Sequence, residues 1–118
     1  MASELFALLF LTRDWAHRAH LKTQSYSQHM ALQAYYEQVT ELADKLIEAY
    51  QGRHGIVEIP YLEAPKEADV IVVIEEHLGL LEGTRYTAIS EKDTALQNIV
   101  DELVGVFLST LYKLKNLN

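Results

Sequence analysis

Residues 25–52 read SYSQHMALQAYYEQVTELADKLIEAYQG, and their periodicity decides the fold. Leu32, Tyr35, Tyr36, Val39, Leu42, Ala43, Leu46, Ile47 and Tyr50 recur at three- and four-residue steps, the pattern of a helix with one buried face. Ser25 followed by Gln28 has the form of a capping box, in which the hydroxyl takes an orphan N–H and the amide reaches back. Gly52 is a natural residue to close the helix. The spacing therefore predicts a helix from about Ser25 to Gln51. Such a helix needs partners for its apolar face, and the flanking sequence supplies them.

Upstream, residues 1–22 place Leu5, Leu8, Leu9, Trp15, Ala16 and Ala19 on one face, with no glycine or proline between them. The polar break at 23–27 is so short that these two helices form an antiparallel hairpin. Downstream, Gly52, Gly55, Pro60 and Pro65 mark residues 52–65 as a long crossover, extended around Ile56 to Leu62. Residues 66–82 have two readings. Asp69 to Ile74 has β propensity, but Pro65 and Glu67 suit the start of a helix, and a lone strand would have no partner. We read 66–82 as a helix and Gly83 to Ile89 as a loop. Ser90 to Asp93 resembles a capping signal, and residues 91–115 carry a final stripe of Leu96, Ile99, Val100, Leu103, Phe107, Leu111 and Leu114. The expectation is one all-α domain spanning residues 1–118, a four-helix antiparallel bundle with a long crossover between the second and third helices.

Composition narrows the chemistry. The 118 residues contain no cysteine, which excludes disulfides, thiolate metal sites and cysteine nucleophiles. The net charge of −7 disfavours nonspecific DNA binding, which needs Lys and Arg against phosphates, and no basic arm precedes the first apolar run. The apolar run from Leu5 to Leu11 is too short to span a bilayer and lacks the basic start of a signal peptide. The expected location is the cytoplasm, or a particle assembled there. The sequence has no phosphate-binding glycine loop, no His-Glu-x-x-His and no nucleophile elbow. Seven tyrosines without a basic groove do not make a nucleic-acid platform, and Tyr35, Tyr36 and Tyr50 are expected to bury their rings with their hydroxyls wet.

Four residues could carry chemistry: His17, His29, Asp44 and Glu48. Glu37, Glu41, Asp44 and Glu48 form one acidic stripe along the second helix. Carboxylates and imidazoles together suit iron and zinc, although an acidic stripe is more often only a solvated helix face. His17 and His20 also read as surface or interfacial residues, and His54 and His77 have no evident role.

The spacing His17, eleven residues, His29, fourteen residues, Asp44, three residues, Glu48 resembles the ferroxidase pattern of the Dps family of mini-ferritins. Residues 31–48, with Ala31-Leu32, Tyr35-Tyr36-Glu37 and Leu42 to Glu48, also look Dps-like. The resemblance implies a ferritin-like bundle that oxidises Fe(II) with peroxide or oxygen, with Zn or Mn as surrogate metals. It implies a homo-oligomer, a dimer at least, with a closed shell of about twelve subunits as the form the family resemblance suggests. The site would lie across a two-fold interface, with His17 and His29 from one subunit and Asp44 and Glu48 from the other. Glu41 or Gln33 would assist. Two positions depart from the family: Gln33 replaces an acid four residues after the second histidine, and Arg18 replaces a tryptophan after the first. His20, one turn from His17, is an alternative ligand. The segment His20 to His29, with Ala31-Leu32, Tyr36-Glu37, Asp44, Glu48 and Tyr50-Gln51-Gly52, is also similar to small tailed-phage proteins. That likeness implies a phage source and gives a second functional expectation: a virion or assembly protein, with virion or host partners and an inert site.

Overall fold

The computed structural model describes residues 1–65 and 69–118. Four helices form: α1 (Ala2–Lys22), α2 (Tyr26–His54), α3 (Val70–Ala88) and α4 (Thr94–Asn116). No strand occurs among the described residues, so the apolar run at 70–74 is helical. At roughly 1.5 Å per residue α2 is about 43 Å long, and the molecule measures 43 × 25 × 21 Å. α2 is thus the spine of the helical bundle.

Side-chain pairs give the helix directions. Phe6 of α1 meets Tyr50 near the end of α2, and His20 meets His29 at the opposite end. Arg53 at the end of α2 bonds Asp93 at the start of α4, at 2.8 Å. Lys115 at the end of α4 bonds Glu75 early in α3, at 2.9 Å. α1 packs on α2 and α3, and α4 packs on the same two. Adjacent helices are therefore antiparallel, while α2 and α3 are parallel and diagonal. The connection from Gly55 to Asp69 must run the length of the bundle, and its fifteen residues can span up to roughly 50 Å. Val57 and Ile59 pack against the core as it does so, and Gln51 Oε1 accepts from the Val57 N–H at 3.0 Å.

The core lies on the predicted stripes. Leu5, Leu9, Leu32, Val39, Leu46, Leu103 and Phe107 are fully buried. Four boundaries differ from the sequence reading. Gly52 does not end α2, because its exposed position tolerates a helix. The stop is Gly55, whose φ of 93° and ψ of 171° suit glycine alone. Residues 66–68, where the third helix was expected to start, lie outside the described residues. α3 begins at Val70, with the Asp69 carboxylate accepting from the Ile71 N–H at 2.8 Å. α4 begins at Thr94, capped by Asp93, and not at residue 91.

The expected loop at 83–89 is helical as far as Ala88. Gly83 faces open space, and an internal glycine costs a helix only about 1 kcal/mol relative to alanine. A buried clasp offsets that cost. Arg85 Nε donates to Gln97 Oε1 at 2.9 Å, and its guanidinium also bonds the Gln97 carbonyl and Asp101. Gln97 Nε2 in return donates to the carbonyls of Arg85, Ile89 and Ser90. The Arg85 and Ser90 carbonyls also accept from the N–H groups of Ile89 and Asp93, so the Ile89 carbonyl is the one of the three for which a side chain of α4 replaces a backbone donor. Gln97→Ala takes the acceptor from Arg85 Nε and the donor from the Ile89 carbonyl, both at a buried corner. A loss of about 2–3 kcal/mol is expected in urea unfolding, against a few tenths for exposed Gln38→Ala.

Candidate functional site

At the α1–α2 turn the chain reverses within three residues. Ser25 Oγ accepts from the Gln28 N–H at 3.2 Å, as the capping box requires. The reciprocal half is absent, because Thr23 Oγ1 takes the Ser25 N–H instead. The tight reversal brings His20 and His29 face to face, with ring centroids 3.7 Å apart and planes 18° from parallel. Each donates from Nδ1 to the backbone carbonyl of the other, at 2.7 and 2.8 Å. A carbonyl can only accept, so both rings carry hydrogen on Nδ1. When neutral, each leaves Nε2 as its lone-pair nitrogen, the arrangement found where a histidine binds a metal. His17 is exposed and stacks on Tyr36 at 4.2 Å, with its ring 6.0 Å from that of His20. His17, His20, His29 and Tyr36 thus form one aromatic cluster. His20 is buried at the centre of this cluster.

The carboxylates lie elsewhere. Asp44 and Glu48 are exposed on α2, as is Glu37. Asp44 stands fifteen positions after His29, roughly 22 Å along the helix. Glu41 turns toward α4 and lines a groove with Gln38, Leu42 and Glu102. Among the described residues no three His, Asp or Glu side chains of one chain could hold a metal together. The two histidines and the two acids are separate halves of the sequence pattern. Arg18 does not face the cluster as a free cation, since its Nε bonds Asp14 at 2.8 Å. Gln33 is half-buried.

A second polar group, in the core, went unnoticed in the sequence. The Thr12 hydroxyl lies 2.7 Å from the Tyr35 hydroxyl and 2.8 Å from His77 Nδ1, joining α1, α2 and α3. All three residues are buried. Tyr35 therefore does not keep its hydroxyl in water, and burial pushes that hydroxyl's pKa far up, outweighing the Thr12 bond. Burial also holds His77 below the ordinary histidine value of 6.5, against the opposing pull of the Glu76 charge. The available signal was two polar residues, Thr12 and His77, set in apolar arcs.

A model of the family of unknown function DUF5856 matches residues 20–114. The chain belongs to that family. It is also 30% identical over 115 residues to an uncharacterised 14.6 kDa protein of Enterobacteria phage T4, from the mobD–ri intergenic region. That alignment covers 96% of this chain and 87% of the phage protein. The two matches bear out the similarity to small phage proteins. No solved structure matches the chain. The DUF5856 match begins at His20, so it takes in His20, His29, Asp44 and Glu48 but not His17. No helix among the described residues is long and apolar enough to cross a membrane.

The buried imidazole predicts that this DUF5856 protein loses stability in acid. The unfolded chain takes up a proton at His77 near pH 6.5, whereas the folded chain does so only at lower pH. Its contribution to stability is present above pH 6.5 and falls as the pH drops below that value. Denaturant titrations of wild type should show this loss between pH 7 and 5. His77→Gln, which can still bond Thr12, should show a shallower dependence over the same range.

Proposed function

We propose that this protein is a ferritin-like, Dps-like mini-ferritin whose Fe(II)-oxidising site is completed between subunits. The observation that carries the reading is the histidine pair at the α1–α2 turn. Its Nδ1 atoms are committed to carbonyls and its Nε2 atoms are left for a ligand. The parallel α2 and α3 with an end-to-end crossover have the connectivity expected of a ferritin-like bundle. The separation of histidines from acids also fits. A chain whose ligands lie about 22 Å apart holds two half-sites, and a two-fold axis pairs each half with its complement. His17 and His29, aided by His20, would supply nitrogen, and Asp44 and Glu48 of a second copy would supply oxygen. Such a mixed set suits Fe(II) as substrate, with Zn or Mn as redox-silent or slower surrogates. Each Fe(II) gives up one electron, and peroxide or oxygen accepts it. Glu41, which lines a groove between α2 and α4, would assist. The assembly is a homo-oligomer in the cytoplasm, without DNA bound, since a charge of −7 opposes phosphate.

A second reading has its own support. Leu21, Tyr26, Ile56 and Tyr61 are large and exposed, Tyr61 completely so, and a related protein is encoded by phage T4. A virion or assembly protein would use such side chains to dock on a virion or host partner, with the metal halves inert.

Subunit mixing separates the two. His17→Ala/His29→Ala and Asp44→Ala/Glu48→Ala chains should each oxidise Fe(II) no faster than buffer when peroxide is added. Co-refolded in equal amounts, they should recover about one quarter of wild-type sites, because half the dimers are mixed and each mixed dimer has one complete site. Stable oligomers of wild type that bind no Fe(II) would exclude the mini-ferritin and leave the assembly reading.

A further inference from the structure

The crossover does not lie flat on α1. Between them is a cavity of about 390 Å³, within the size range of small-molecule sites. Its walls are apolar: Ala7, Phe10 and Leu11 from α1, with Ile59, Leu62 and Ala64 from the crossover. Arg13 and Asp14 also line it. The two charges are not equivalent. Asp14 is bonded to the Arg18 guanidinium at 2.8 Å. Arg13 is half-buried, and its guanidinium lies over the Phe10 ring, 5.0 Å from the centroid. Among the described residues no carboxylate lies within ion-pair distance of Arg13. The pocket is open to solvent past Phe10 and Leu62, and combines apolar walls with one planar cation on a chain of net charge −7.

We propose that this cavity is a binding site for a small amphipathic anion, an aliphatic or aromatic carboxylate of roughly ten to fifteen non-hydrogen atoms. The apolar body displaces water from between Phe10, Leu11 and Leu62. The carboxylate pairs with Arg13, whose fork of N–H donors matches two carboxylate oxygens. The charge decides the class: a cationic ligand would meet Arg13 as a like charge, and a neutral one would leave it unpaired. The site is independent of the iron reading and uses none of its residues.

Titration calorimetry of the full chain with octanoate, and with octanol as the uncharged analogue, tests the assignment. Octanoate should bind saturably, one per chain, with Kd on the order of 100 μM. Octanol should bind about tenfold more weakly. Arg13→Gln should remove the preference between the two. Ala64→Trp, an exposed substitution that fills the cavity from the crossover side, should abolish binding of both. Thermal melts confirm that each variant is folded. Absence of saturable octanoate binding to wild type would overturn the proposal. Equal affinity for octanol, or unchanged binding to folded Ala64→Trp, would overturn it as well.

Discussion

Thr12 sits where three helices meet, and its single hydroxyl serves both Tyr35 on α2 and His77 on α3. Apolar stripes can slide past one another by a turn at modest cost, because one leucine resembles the next. A buried hydroxyl, phenol and imidazole cannot, since a slipped register leaves each without a partner at a cost of about 1–3 kcal/mol per group. This node therefore fixes how far α1 is advanced along α2 and along α3. Eight residues toward the turn, the same register sets His20 against His29. Toward the other end, it sets Phe6 against Tyr50. The histidine pair depends on a contact roughly 12 Å away along α1.

The fourth helix joins through the ends of the others. Asp93 caps α4 and pairs with Arg53 of α2, so one carboxylate both starts a helix and ties it to its neighbour. Gln97 closes the α3–α4 corner, and Lys115 holds the far end of α4 to Glu75. Since α4 is antiparallel to both α2 and α3, those two are parallel, and the crossover must travel the length of the bundle. It crosses α1 on the way, where Ile59 and Leu62 leave a pocket beside Phe10. The pocket and the parallel diagonal thus have one cause, the direction of α4.

Much of this was legible in the sequence because it depends on period. Leu32, Val39 and Leu46 of α2, and Leu96, Leu103 and Phe107 of α4, report their helices directly, and all are buried. What escaped depends on contacts between distant residues. Gly83 reads as a break until Gln97 is known to hold Arg85 in place. Gly52 and Gly55 look equivalent as letters, and only Gly55 has a backbone conformation that requires glycine. Tyr35 was expected to keep its hydroxyl wet, because no local pattern shows that Thr12 waits 23 residues earlier. The candidate site divides in the same way. The positions of His17, His29, Asp44 and Glu48 were readable as spacing, whereas the reciprocal Nδ1 bonds of His20 and His29 come from the tight turn together with the helix register that Thr12 fixes.

Membership of DUF5856 and similarity to a phage T4 protein establish the kind of chain this is and leave its chemistry to the residues. The central claim is that the imidazoles of one subunit and the carboxylates of another share a metal. Diffraction from crystals grown anaerobically with Fe(II), measured across the iron absorption edge, addresses it most directly. The account predicts an anomalous peak about 2.0–2.3 Å from a histidine Nε2 at the α1–α2 turn and from an Asp44 or Glu48 oxygen of the neighbouring subunit. An empty turn, or iron held by the side chains of one chain alone, would contradict it.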